Sequence, residues 1–257
     1  MRTSFILRVL VALFVMIASE ARADTPNIAA ASDLQLLLPE LAQAFKQKRG
    51  QEVRLVMGSS GNLARQIQAG APFELFMSAD ESFVEFLVKA GRAEDAGVLY
   101  AIGSLALVVP SQSKIELDPN LAGLGQAIAA GTVRRLAIAN PDLAPYGRAA
   151  RAALQSSGHW ATVQPRLVLG ESVSQAAQFV VTGAVDGALV SAALLRSPAL
   201  ADKTRHAIVA SALYPQIRQR MVLVKGAGSS ARAFYAFLQG DEARALFTRH
   251  GFERPTP

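Results

Sequence analysis

The feature that most constrains this chain is a repeated unit: a short apolar run, a turn of small or hydroxyl-bearing residues, and a helical stretch closed by glycine. Its first copy is Ala29-Ala-Ala-Ser-Asp33, followed by Leu34, Leu37, Leu38, Leu41, Ala42 and Phe45 at helical spacing. The second copy reads as a strand at Glu52–Gly58, a turn at Ser59-Ser60-Gly61, and a helix at Asn62–Ala69 stopped by Gly70. The first N–H groups of a helix have no partner inside it, and with the helix dipole they form a ready site for negative charge.

The unit continues along the chain. Glu74–Met77 reads as a strand leading to Ser78-Ala79-Asp80, where Ser78 or Asp80 caps a helix carrying Phe83, Phe86, Leu87 and Ala90 and ending at Gly91. Tyr100–Val109 is a longer β-prone run, long enough to cross from one lobe into another. Alternation then resumes with a helix at Asn120–Ala130, a strand at Arg135–Ala139, the turn Ala144-Pro-Tyr-Gly147 and a helix reaching Gly158. A strand at Arg166–Leu169, the turn Gly170-Glu-Ser-Val173, a helix at Ser174–Thr182 and a strand at Asp186–Val190 follow. A late strand at Met221–Val224 and two closing helices, the first beginning at Ser230 and the second spanning Glu242–His250, complete the pattern. Such alternation specifies an α/β fold with mainly parallel sheets. One local conflict stands: Pro39 falls inside the first long helix, where an interior proline costs roughly 3 kcal/mol, so a distorted helix start is expected.

Residues 1–23 read as a secretory signal peptide. Arg2 and Arg8 flank the start of an apolar run, Val9–Ala18, and Ala21-Arg22-Ala23 has the small-x-small form of a cleavage site, which makes Asp24 the expected mature N-terminus. Removing Arg2, Arg8, Arg22 and Glu20 lowers the formal charge from +6 to +4, that is 23 basic minus 19 acidic residues. These charges are scattered, with no basic run of the kind that marks nucleic acid as a partner. The chain has no cysteine, which excludes disulfides, thiolate metal sites and thiol catalysis.

Four turns now look alike: Ser32-Asp33, Ser59-Ser60, Tyr146-Gly147 and Ser172-Val173, two from each half of the chain. If the halves face each other, the turns meet in a cleft at the carboxyl ends of the strands, where open α/β sheets bind ligands. Hydroxyls and free N–H groups suit a small oxyanion held by neutral donors. The plainer account of each serine is a helix cap worth about 1 kcal/mol; only the set of four turns lifts the functional reading. A Ser/His hydrolase is the competing class. Gly58-Ser-Ser-Gly-Asn62 lacks the G-x-S-x-G spacing, and His159, His206 and His250 fall in helix ends or loops without metal-ligand spacing.

Several motifs in order, Ala29-Ala-Ala-Ser-Asp33, Gly58-Ser-Ser-Gly61, Leu63-Ala-Arg-Gln-Ile67, Gly70-Ala-Pro72, Leu75-Phe-Met-Ser-Ala-Asp80, Ala144-Pro-Tyr-Gly147 and Arg249-His-Gly-Phe252, resemble the periplasmic molybdate-binding proteins of ABC transporters. The resemblance covers nearly all of the mature chain. It implies a two-lobed type II periplasmic binding fold, with residues 24–104 and 220–257 in lobe 1, residues 105–219 in lobe 2, and two hinge crossovers. It implies a monomer in the periplasm that carries molybdate or tungstate to a permease in the inner membrane, with no cofactor and no enzymatic activity.

By motif, Ser32 and Ser60 would give hydroxyl and N–H donors, and Tyr146 and Val173 backbone N–H groups, all acting on the oxygens of the anion rather than coordinating the metal. Asp33 and Gly147 are secondary candidates. Some members carry a tyrosine donor where this chain has Gly187–Ser191, and others, as here, have tyrosine in the A-P-Y-G turn, which leaves the fifth donor open. Asp33 either turns away to cap its helix or accepts a proton from a protonated ligand. A carrier of phosphate or sulfate is the alternative within the same class.

Overall fold

The computed structural model describes residues 25–255; the expected signal peptide and Asp24 lie outside the described residues. Ten strands are arranged in two sheets of five: β1 (Asn27–Ala31), β2 (Arg54–Gly58), β3 (Leu75–Ser78), β4 (Val98–Gly103), β5 (Leu105–Pro110), β6 (Leu136–Ala139), β7 (Leu167–Gly170), β8 (Gly187–Ser191), β9 (Thr204–Ile208) and β10 (Ile217–Leu223). The first sheet has the order β2-β1-β3-β10-β4 and the second β7-β6-β8-β5-β9. The two orders are the same design: three consecutive parallel strands, an antiparallel strand, and then the fourth.

Each antiparallel strand is the one that follows a crossing between lobes. β10 pairs antiparallel with both β3 and β4, and β5 does so with both β8 and β9. The apolar run Tyr100–Val109 is therefore two strands in different sheets, broken at Ser104. The return is complete by Ile217, which pairs with Gly103, so the β-paired segment of lobe 1 begins before residue 220.

The first sheet is covered on both faces, and the period-2 alternation of its strands shows it. Ile28, Ala30, Leu75, Met77, Met221 and Leu223 join one apolar cluster with Leu34, Leu41, Phe45 and Phe234. Ala29, Phe76 and Val222, the alternate residues, join another with Leu63, Ile67, Val84 and Leu87. Strand β1 lies between β2 and β3 with its last four residues buried, which explains its run of small alanines.

The distorted helix start expected at Pro39 is present. Ser32–Leu34 forms a single 3₁₀ turn, and the α-helix begins afterwards, at Leu38–Arg49. Pro39 thus occupies the first turn, where no intrahelical N–H bond is lost. Asp80 caps the helix Glu81–Lys89 by accepting from Ser82 N at 2.7 Å. Strand β9 has no counterpart in the sequence reading, because Thr-Arg-His-Ala-Ile at a sheet edge is polar and largely exposed and lacks the apolar signature.

Candidate functional site

The four turns lie at the carboxyl ends of β1, β2, β6 and β7, and the structure brings them together. Ser32, Asp33, Ser59, Ser60, Tyr146 and Val173, with Ala31, Gly58, Ala79, Ala144 and Pro145, line one small, tightly closed-down pocket of about 10 Å³, with room for little more than one water in the arrangement seen. A larger cleft of about 440 Å³, bordered by Tyr100, Met221, Phe247 and Phe252 together with Gln239, Arg244 and Arg254, lies elsewhere in the first lobe and contains none of the four turns.

Lobe 1 contributes hydroxyls. Ser60, fully buried, accepts from Ala79 N at 3.0 Å, and Ser32 accepts across the cleft from Ser174 N at 3.4 Å. With an N–H already directed at each oxygen, the O–H proton of each serine is free to donate. Ser59 was not among the expected donors, yet its Oγ is buried without a hydrogen-bond partner. Its position as N-cap was the available signal, and its hydroxyl does not perform the capping.

Lobe 2 contributes backbone. Helix Pro145–Ser156 starts at Pro145, which has no N–H, so Tyr146 is its first donor; Val173 is the first residue of helix Val173–Val181. Neither N–H donates to a protein acceptor among the described residues. Gly147 differs, since its N–H goes to Ala144 O at 3.0 Å, and a Cβ there would overlap the carbonyl of Ala139. Close packing of the helix on β6 accounts for that glycine. Ser172 is a cap, accepting from Gln175 N at 3.3 Å.

Asp33 does not cap a helix. Its Oδ2 accepts from Gln219 Nε2 at 2.7 Å, and the same amide nitrogen lies 3.2 Å from the Tyr146 hydroxyl. Tyr100 donates to Gln219 Oε1 at 2.7 Å. This network joins the 3₁₀ turn, β4, β10 and the lobe 2 helix Pro145–Ser156 at the crossover, where a Cβ on Gly103 would overlap the Tyr146 hydroxyl. The Tyr146 side chain is therefore committed to the network, and only its backbone N–H is available to a ligand. Burial pushes the Asp33 carboxyl up to about 6, against the hydrogen bond it accepts from Gln219. Burial also raises both phenols, Tyr100 and Tyr146, well above the usual tyrosine range.

Other contacts span the cleft. Gly61 N donates to Leu143 O at 2.8 Å, and Arg148 of lobe 2 pairs with Asp80 of lobe 1 at 2.6 Å while lying 4.8 Å from the Phe83 ring centre. None of His159, His206 and His250 lines this pocket.

The family model for bacterial extracellular solute-binding proteins matches residues 26–253. The molybdate-binding protein ModA of Rhodobacter capsulatus is 32% identical over 244 residues, covering 94% of this chain and 93% of that protein. ModA of Escherichia coli K12 is 30% identical, with 94% of each chain covered. Among solved structures, the periplasmic molybdate-binding protein of Azotobacter vinelandii superposes with a TM-score of 0.81 at 31% identity, over 90% of this chain and all of that one. A sulfate-binding protein from Mycobacterium tuberculosis, at 17% identity and a TM-score of 0.72, shares the fold. The chain therefore belongs to the bacterial extracellular solute-binding protein family and is homologous to the molybdate-binding proteins.

Proposed function

We propose that this protein captures a tetrahedral oxyanion, molybdate and also tungstate, between its lobes and delivers it to an ABC permease in the inner membrane. The observation that carries the reading is the convergence of four strand-to-helix turns, two from each lobe, on one small pocket lined by hydroxyls and by N–H groups without a protein acceptor. Ser32 and Ser60 supply hydroxyls, Tyr146 and Val173 backbone N–H groups, and Ser59 a further hydroxyl. Each hydrogen bond to a charged acceptor contributes about 1.5–3 kcal/mol in a dry site, and neutral donors hold a dianion without a counter-charge that would impede its release.

Relatives that are binding proteins by name support the non-enzymatic reading. Export through a cleaved signal peptide into the periplasm fits the sequence of residues 1–23, and among the described residues no helix is long and apolar enough to cross a membrane. A phosphate carrier is the second reading. The observation favouring it is Asp33, a carboxylate that a protonated anion could satisfy. Calorimetric titration of the mature protein with molybdate, tungstate, sulfate and phosphate separates the two. The first two are expected to bind far more tightly, and equal or stronger binding of phosphate would overturn the assignment.

A further inference from the structure

A carboxylate in an anion site needs an explanation. Asp33 lines the small pocket, is buried, and has one oxygen, Oδ1, without any hydrogen-bond partner, while Oδ2 is held by Gln219. An orphaned, fully desolvated carboxylate oxygen is costly, and a dianion beside it makes the cost larger, because two negative charges in a dry site disfavour each other's ionised form.

Among the described residues no cation is paired with that charge. On β10, Arg218 and Arg220 flank Gln219 but are turned to Glu81, at 2.7 and 3.0 Å. On the lobe 2 helix, Tyr146 faces Asp33 with a phenol, and Arg148, two residues on, is paired with Asp80. From β4 the facing group is the Tyr100 phenol. The end of β2 beside the turn, Met57-Gly58, and the helix Val173–Val181 carry no titratable side chain, and the 3₁₀ turn Ala192–Arg196 has only Arg196, at its far end.

We propose that Asp33 takes up one proton from solvent when the oxyanion binds, and that the resulting carboxylic acid donates from Oδ1 to an oxygen of the anion. This rests on the oxyanion reading of the site. Molybdate and tungstate are fully deprotonated dianions near neutral pH, so the proton must come from solvent and resides on the carboxyl. The gain is twofold: the orphaned atom acquires a partner, and the anion acquires one more neutral donor. Burial has already moved this carboxyl to about 6, so a nearby dianion carries it past neutrality. Because the bound state then holds one more proton than the free protein, linkage makes affinity rise about tenfold per unit of falling pH through the neutral range. Asp33 thus becomes a specificity-determining residue that adapts an acidic position to a fully deprotonated anion.

The test is calorimetric titration with molybdate at pH 7 in buffers of different ionisation enthalpy, with affinity followed from pH 6 to 8.5. The wild-type protein should take up close to one proton and bind about tenfold more weakly for each pH unit upward. Asp33→Asn, whose amide is a permanently neutral donor, should bind without proton uptake and with a flat pH profile, tighter than wild type at pH 8.5. No proton uptake by the wild type, or an unchanged uptake in Asp33→Asn, would overturn the proposal while leaving the oxyanion site standing. Absence of binding to molybdate and tungstate at every pH would overturn the oxyanion reading and the proton uptake with it.

Discussion

The two lobes share one strand order, and under the proposed function they would offer the ligand different chemistry. In lobe 1, the turns after β1 and β2 present serine hydroxyls, at Ser32, Ser59 and Ser60; in lobe 2, the turns after β6 and β7 present the first backbone N–H groups of helices, at Tyr146 and Val173. The side chains of lobe 2 at these positions are engaged elsewhere, Tyr146 in the network with Gln219 and Val173 in the apolar core. Topology fixes where donors can converge, and residue choice decides whether they come from side chain or main chain. One lobe should therefore be sensitive to side-chain truncation and the other indifferent to it.

The largest expected effect comes from the seam between the lobes. A Cβ on Gly61 would lie 2.6 Å from Leu143 O of lobe 2, and the cross-cleft bond from Gly61 N, 2.8 Å long, depends on that approach. Gly61→Ala should weaken molybdate binding by about 2–4 kcal/mol through overpacking and a lost hydrogen bond. Without ligand, its unfolding midpoint should shift little, the helix preference of alanine offsetting a tight 3.1 Å approach to the Phe83 ring within lobe 1. A lowered midpoint would mean that the clash acts within lobe 1.

Truncating the lobe 1 hydroxyls comes next. Ser32→Ala and Ser60→Ala should each weaken binding by about 1–3 kcal/mol with little shift in ligand-free stability, read by titration and thermal melts. Wild-type affinity in both would reduce these hydroxyls to structural contacts. In lobe 2 the corresponding perturbation must remove an N–H. Val173 is the first helical residue, and Ser172 before it is extended, at φ −139° and ψ 165°, so proline fits there. Val173→Pro should cost about 1–2 kcal/mol of binding, whereas Val173→Ala, which keeps the donor, should leave affinity within error. Equal losses in both would break the comparison.

Much of this was legible in the sequence because the signals are local. Strands such as Ile28–Ala31 and Leu136–Ala139 are apolar throughout, and Gly50, Gly70, Gly91 and Gly183, each at positive φ, mark helix ends. Strand β9 escaped because an edge strand can be polar. Residue 104 was expected as the lobe boundary, but the division of Tyr100–Val109 into two separate strands escaped, because both halves are β-prone and which sheet each joins is a long-range matter. At the site, the four turns were visible as strand-to-helix junctions. The partner of Asp33 was not, since Gln219 lies 186 residues away and nothing local marks a glutamine on a late strand as the neighbour of an early carboxylate. The same distance explains why capping, a local interaction, was the expected role for Asp33.

The central claim is that neither lobe completes the site alone. Donors divided between lobes interact better with the closed arrangement than with an open one, and that difference in affinity shifts the population toward closure. Small-angle scattering of the mature protein with and without molybdate tests this most directly. A smaller radius of gyration with the anion is the predicted result; an unchanged radius alongside tight binding would show that the anion is held by a preformed cleft or by one lobe, and would contradict the account.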